Sequence, residues 1–238
     1  MGTARRALSS YAGGVRFLRR VHAEWLLIFP RLKRTRLGVA LLGLGVLLIW
    51  LSSRGLDPLA VALQAGALGA VLGAAYAVAG ESDRAAFGVA LTHPTTPLAI
   101  ATGRCLATVL PAACLVLATT VAVGWHAGHA AAGVLAAAAV GSCALAAVLA
   151  FGNAAAVPLF LFMAGAGAIP PEHLVDSVHP GVVRVAAASA LELGPALWHY
   201  RDIAAGDLGA IAHAFAWAGL GVLWASAMVA RQRTVFHS

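Results

Sequence analysis

Six apolar runs divide this chain, and most are as long as a helix that crosses a bilayer. A tilted helix needs roughly 17 to 25 apolar residues to cross about 30 Å of hydrocarbon. We predict transmembrane helices at Leu37–Ser53, Pro58–Ala79, Leu98–Val123, Ala130–Phe151, Ala154–Ile169 and Leu208–Ala230. The fifth run is short and contains Pro158, and a seventh stretch, Gly181–Ala190, is too short to cross. The sequence therefore predicts an all-α integral membrane protein with six transmembrane helices.

The composition supports this class. Hydrophobic residues make up 61% of the 238 residues and charged residues 11%, whereas soluble domains carry roughly 25% charged residues. The first 36 residues are rich in Lys and Arg without a clean apolar core, so we expect no secretory signal peptide. The three cysteines have no C-x-x-C spacing, which indicates neither a disulfide framework nor a metal knuckle.

Basic residues gather on one predicted side of the membrane. Short cytoplasmic loops retain Lys and Arg, and with both termini inside only Arg54, Arg184 and Arg201 of the 16 basic residues lie outside. Most of the nine acidic residues fall outside as well. We predict a multi-pass protein of the cell inner (cytoplasmic) membrane with both termini cytoplasmic. Because the positive charge follows the membrane boundary and lacks interleaved aromatic residues, no nucleic-acid partner is expected.

Residues 15–29 form an amphipathic pattern before the first apolar run. At about 100° per residue, Arg16, Arg19, Arg20 and Glu24 share a polar arc. The apolar arc contains Val15, Phe17, Leu18, Val21, Trp25, Leu26, Ile28 and Phe29. This pattern is typical of a helix that lies in the membrane interface. We predict an interfacial elbow helix, which is either a simple membrane anchor or a lever that a transporter moves.

Local signals mark where helices begin and how they pack. Asp57, Thr96 and Asp207 precede apolar runs and offer an oxygen acceptor to the first backbone N–H groups. Gly69 and Gly73 form a small-xxx-small pair, which allows close helix approach in lipid. We predict that this pair packs within the chain, with a dimer contact as the alternative.

Several catalytic and transport motifs are missing from the sequence. Lys33 is its only lysine, so a G-x-x-x-x-G-K-[ST] phosphate loop is impossible and the chain carries no ATPase of its own. Neither a G-x-S-x-G elbow, an H-E-x-x-H helix nor a cluster of acids within a span occurs. His126 and His129 have i, i+3 spacing, but without a Cys or paired carboxylate we expect no metal site there.

A charged cluster interrupts the apolar pattern between the second and third runs. It begins with Glu81 and Asp83, continues as FGVALTHP and leads into GRCLA at residues 103–107. The second half contains IPPEHLVDSVHPG and then LGPALWHYRDIAAGD before the last run. Together with the basic amphipathic helix and six spans, these motifs resemble the permease subunits of type-2 ABC exporters over essentially the whole chain. Two features depart from the family pattern. Ala85 and Ala86 stand where the family usually has a Gly-Thr pair, and the outer segment before the last run is modest in length, which argues against a large extracellular domain.

The resemblance implies roles for three segments. A coupling helix at Asp83–Leu91 would dock on a separate ATPase subunit, within a coupling loop at 81–97. Its interface would comprise Glu81, Asp83, Arg84, Phe87 and Leu91. A re-entrant outer segment at 170–207 would close the outer end of the pathway, with Pro170, Pro171 and Pro195 in the gate; such backbone must be shielded by protein. The elbow helix would act through Arg16, Arg19, Arg20, Trp25 and Phe29.

The resemblance also implies the complex and its activity. The chain divides into a basic cytoplasmic N-terminus, residues 1–36, and a six-helix membrane domain, residues 37–238. Its partners would be two copies of a phosphate-loop ATPase, membrane lipid, and either a second copy of this chain or a related permease. ATP and magnesium would bind the ATPase, and this chain would carry no cofactor. The complex would export an amphipathic substrate by alternating access. A non-transporting membrane scaffold or assembly factor stays open as an alternative, as does an ion-coupled carrier or membrane enzyme.

Overall fold

The computed structural model of the protein describes residues 14–26, 36–79, 95–166 and 194–237, and these contain helices but no strand. We number the helices in chain order. They are α1 (residues 14–26), α2 (Leu37–Ser53), α3 (Pro58–Ala79), α4 (Pro97–Val123), α5 (Ala127–Phe151), α6 (Asn153–Ala166), a 3₁₀ helix (His199–Ala205) and α7 (Leu208–His237).

Four of these helices, α3, α4, α5 and α7, are long and apolar enough to span a membrane. The other two predicted spans correspond to shorter helices. α2 has 17 residues and α6 has 14, which at 1.5 Å per residue gives about 26 Å and about 21 Å. The structure therefore supports a helical membrane protein with four span-length helices, whereas six crossings stay a prediction.

The three predicted N-terminal caps are confirmed. The Leu59 N–H donates to Asp57 Oδ1 at 3.2 Å, and the Ala99 N–H donates to Thr96 Oγ1 at 3.3 Å. At the start of α7, the Gly209 N–H donates to Asp207 Oδ1 at 2.7 Å. Each cap satisfies a backbone donor that has no partner inside its helix. These local bonds explain why α3, α4 and α7 begin within one residue of the predicted starts, whereas α5 begins at Ala127, three residues before the predicted Ala130.

Glycines on α3 bring two neighbouring helices into backbone contact. A Cβ added at Gly73 would lie 2.7 Å from the Thr108 carbonyl oxygen of α4, and one at Gly69 would lie 3.3 Å from the Ala112 Cβ. One turn earlier, a Cβ at Gly66 would collide with the Gly133 carbonyl oxygen of α5. The small-xxx-small pair thus packs within the chain against α4, and at Gly73 a side chain would collide with the α4 backbone.

α5 lies at the centre of the bundle and contacts α3, α4, α6, α7 and the 3₁₀ helix. Within its apolar window 72% of the residues are buried, against 22% in α7. Alanines and small residues fill most of its length, which permits close contact with so many neighbours. α7 and α2 lie at the periphery, where Phe215, Leu223, Val39 and Leu42 are exposed.

The bundle has two ends that differ in their polar residues. We call the end with residues 54–57, 124–129 and 194–207 the histidine end, and the opposite end, with Arg36, Arg104 and Arg231, the basic end. Contacts between distant segments define both: Gly128 packs against Ala204 at the histidine end, and the Asn153 amide donates to the Ala75 carbonyl at the basic end. Among the described residues, Arg54 and Arg201 belong to the histidine end, and Arg36, Arg104 and Arg231 belong to the basic end. The cytoplasmic location of the basic end stays a prediction.

Candidate functional site

An apolar cavity of about 420 Å³ lies between α5, α6 and α7. Its walls include Cys143 and Phe151 of α5, Phe160 and Met163 of α6, and Trp217 and Trp224 of α7. Phe151, Leu159 and Leu220 at its rim are exposed, so the cavity opens on the side of the bundle between α6 and α7. Its volume falls within the range of about 300 to 1,000 Å³ that small-molecule sites occupy.

A second cavity, of about 320 Å³, lies at the histidine end and is lined by Ala196, Trp198, His199 and His213. The His213 ring meets the His199 ring edge to face, with centroids 5.5 Å apart. Trp198 Nε1 and His213 Nδ1 are buried and have no hydrogen-bond partner within the described part of the chain. Buried polar atoms in native proteins nearly always have a partner, so these two nitrogens mark a place where an acceptor is missing.

A hydrogen bond joins the walls of the two cavities. Trp217 Nε1 donates to His213 Nε2 at 3.0 Å, one helical turn apart on α7. Trp217 lines the apolar cavity and His213 lines the second cavity. In the facing segment, Pro195 lines the apolar cavity and the adjacent Ala196 lines the second one. Because Nε2 accepts this bond, the neutral His213 ring carries its hydrogen on Nδ1 and is a donor there. The two cavities are therefore neighbours with a shared wall.

Tyr200 packs beneath this region and is fully buried. Its ring centroid lies 5.7 Å from that of His213, and its hydroxyl has no hydrogen-bond partner among the described residues. Burial, with a smaller contribution from Cys143, raises the pKa of the Tyr200 phenol. The hydroxyl therefore stays protonated at neutral pH, as an uncharged group in the core.

Asp57 connects two parts of the histidine end that lie 144 residues apart. Its Oδ2 accepts from Arg201 Nη2 at 2.7 Å, while Oδ1 caps α3. Asp202, on the same 3₁₀ helix, lies 3.7 Å from His199 Nδ1. The Asp57 carboxylate thus caps α3 and also forms an ion pair that joins the 3₁₀ helix to the start of α3.

We expect Asp57→Asn and Asp57→Ala to separate the contribution of the ion pair from that of the helix cap. Asn keeps a capping oxygen but loses the charge, so the free energy of unfolding should fall by at most about 1 kcal/mol, as for a partly exposed ion pair. Ala removes the cap as well, which should cost about 1 kcal/mol more. Thermal unfolding of the purified protein measures both. Equal losses in the two variants would show that the cap contributes nothing.

His126 and His129 lie close together, with ring centroids 4.4 Å apart. No group of three or more His, Cys, Asp or Glu side chains in the described ranges is arranged to hold a metal ion. The ring pair instead packs at the start of α5, beside the 3₁₀ helix that Gly128 contacts.

Helix α1 packs against α4 near the basic end. A Cβ added at Gly103 would lie 2.7 Å from the Glu24 Cβ and 3.0 Å from the Val21 carbonyl oxygen. Glu24 is only 6% exposed, whereas Leu18 is 65% exposed. Glu24, on the polar arc of the sequence pattern, is therefore buried against α4, while Leu18, on the apolar arc, is exposed. α1 turns its Val21–Glu24 side to the protein, which a helical wheel alone cannot reveal.

The structure describes some of the predicted site residues but not others. Arg16 and Arg19 are exposed, Arg20 and Trp25 are partly exposed, and Pro195 is buried in the wall of the apolar cavity. The coupling residues Glu81, Asp83, Arg84, Phe87 and Leu91, together with Phe29, Pro170 and Pro171, lie outside the described residues. The interfacial position of α1 and the gate role of Pro195 stay predictions.

Sequence reasoning missed the cluster of Trp198, His213 and Trp217. The sequence pattern singled out only His126 and His129 among the histidines, whereas His213 lies in α7, about one and a half turns from its start. The signal that could have found it is the His-x-x-x-Trp spacing, which places both rings on one face of a helix. Trp198 carried no such signal, because its position depends on how the segment before α7 folds.

No protein-family model, curated protein or solved structure matches the chain.

Proposed function

We propose that this chain is the membrane-spanning permease subunit of an ATP-driven exporter. A separate phosphate-loop ATPase, in two copies, supplies ATP hydrolysis with magnesium, and a second copy or a related permease completes the membrane part. The substrate is amphipathic, and the basic end faces the cytoplasm. The proposal draws on the resemblance of the loop and outer-segment motifs to type-2 ABC permeases, and on the helical membrane bundle.

One observation carries the proposal: the helices on either side of residues 80–94 are packed backbone to backbone. α3 meets α4 at Gly73 and Thr108, in the half of each helix that adjoins residues 80–94. α1 in turn sits on Gly103 of α4, within the GRCLA motif. A force applied to residues 80–94 by a docked partner would therefore move α1, α3 and α4 as one body, the kind of rigid-body shift that alternating access uses.

The exposed apolar surface is compatible with a second membrane subunit. Large side chains point outward from α2 and α7, among them Val39, Leu42, Phe215 and Leu223. Lipid covers such a surface as readily as protein does. The partner permease is therefore tested by the mass of the purified complex, which distinguishes one copy from two.

Co-purification tests the class of function. We expect gentle detergent extracts to yield this chain in a tight complex with a phosphate-loop ATPase whose activity responds to amphipathic compounds. A chain that purifies without any ATPase would support the scaffold or assembly factor. Transport that persists in vesicles without ATPase would support the ion-coupled carrier instead.

Asp83→Arg combined with Phe87→Ala tests the docking site. Loss of an apolar anchor costs about 2 kcal/mol or more at an interface centre, so ATPase binding should weaken about thirtyfold or more. Membrane insertion should be unchanged, because both residues lie outside the predicted spans. Asp202→Arg, the same charge change at the histidine end, is the matched control and should bind the ATPase normally. A doubly changed protein that still couples its ATPase would contradict the assignment.

A further inference from the structure

The two cavities meet along α7 and differ sharply in chemistry. The apolar cavity extends from Trp217 to Trp224, a distance of roughly 10 Å along the helix. The histidine-end cavity begins one turn from Trp217, at His213, and its wall contains two buried N–H donors without acceptors in the described structure. An elongated molecule that is apolar for most of its length and carries oxygen at one end would satisfy both environments.

We infer that the two cavities form one binding site for a single-chain amphiphile with an uncharged, oxygen-rich head group. The hydrocarbon chain lies between α5, α6 and α7, and the head group accepts hydrogen bonds from Trp198 Nε1 and His213 Nδ1. The His213–Trp217 hydrogen bond marks the boundary between head and chain. The site rests on the proposed function only for the claim that the bound molecule is the exported substrate.

The charges at the histidine end favour an uncharged head group. The described residues there include two arginines, Arg54 and Arg201, against Asp57, Asp202 and Asp207. Arg201 is already paired with Asp57, and Arg54 lies over the Trp50 ring. An anionic head group would therefore meet no surplus of positive charge. A quaternary ammonium has no oxygen acceptor, so it would leave both buried N–H groups unsatisfied, at a cost comparable to a lost hydrogen bond.

Fluorescence quenching in lipid nanodiscs tests the site with the full chain. Three probes share one brominated chain: N-(2-hydroxyethyl)-12-bromododecanamide, 12-bromododecanoate and 12-bromododecyltrimethylammonium. Bromine quenches nearby indoles, so the location of the chain is read from tryptophan variants. We expect saturable quenching by the amide, at a concentration about tenfold lower than for the other two after correction for membrane partition. Tighter binding of the carboxylate or of the ammonium would overturn the head-group assignment.

Two matched pairs of variants locate the molecule. Trp224→Phe should remove much of the saturable quenching, whereas Trp50→Phe, on exposed α2, should not. Trp198→Phe keeps an aromatic ring but deletes the donor, so half-saturation should rise about tenfold, as for one lost hydrogen bond in a dry site. Trp125→Phe, exposed at the same end, should leave half-saturation unchanged. Equal effects within either pair, or quenching that never saturates, would overturn the site.

The outcome separates this site from the proposed function. Quenching needs no ATPase, so a saturable site in a chain that never binds an ATPase would leave the inference standing and remove the exporter proposal. Conversely, an intact ATPase complex that is sensitive to Asp83→Arg and Phe87→Ala, with no saturable quenching, would remove only the amphiphile site.

Discussion

Gly66→Val is expected to destabilise the bundle severely. The new Cβ would collide with the Gly133 carbonyl oxygen, which belongs to backbone and cannot rotate away. α3 and α5 would therefore have to separate. The contact is equally close from the other side, because a Cβ added at Gly133 would lie 2.5 Å from the Ala62 carbonyl oxygen. Overpacking costs about 1 to 3 kcal/mol and occasionally more; we expect a loss at or above the upper value.

The matched control is Gly43→Val on α2. Gly43 is helical and exposed, and an added Cβ there meets nothing within 4 Å. Both variants carry the same change in helix propensity, so the difference in their melting temperatures isolates the contact between α3 and α5. Size-exclusion profiles and thermal unfolding in one detergent give the comparison. Equal melting temperatures for the two variants would show that these helices do not meet at Gly66.

Tyr200→Ala is the second change with a large expected effect. Tyr200 is fully buried in the core cluster that also contains Leu197 and Ile203, at the point where the 3₁₀ helix meets α5 and α7. Truncation of a buried aromatic ring leaves a cavity and typically costs about 3 to 5 kcal/mol. We expect a loss of that size in the free energy of unfolding, measured by chemical denaturation in mixed micelles.

Tyr200→Phe distinguishes the ring from its hydroxyl. The hydroxyl lacks a hydrogen-bond partner among the described residues, so its removal deletes a buried polar group that nothing satisfies. We expect Phe to leave stability unchanged or slightly raised. A loss with Phe as large as that with Ala would mean that the hydroxyl, rather than the ring, fastens the 3₁₀ helix.

The helices could be predicted from the sequence because their causes are local. An apolar run sets the length of a helix in lipid, and an oxygen at Asp57, Thr96 or Asp207 sets where it begins. α2 and α3 have the predicted bounds. The glycine pair on α3 was also predictable, since close packing in lipid needs small residues at four-residue spacing.

The candidate site could not be predicted, because it depends on which distant segments meet. Nothing near Asp57 in the sequence indicates Arg201, and nothing near Trp198 indicates His213. The burial of Glu24 against Gly103 likewise follows from the direction in which α1 approaches α4.

The sequence by itself determined the helical membrane class and the starts of α2, α3 and α7, because each follows from residues within a few turns of one another. Only the tertiary structure decided the central position of α5, the ion pair at the histidine end and the neighbouring cavities along α7. These depend on how closely backbones approach, and that distance is set by pairs of small residues on different helices rather than by either helix alone.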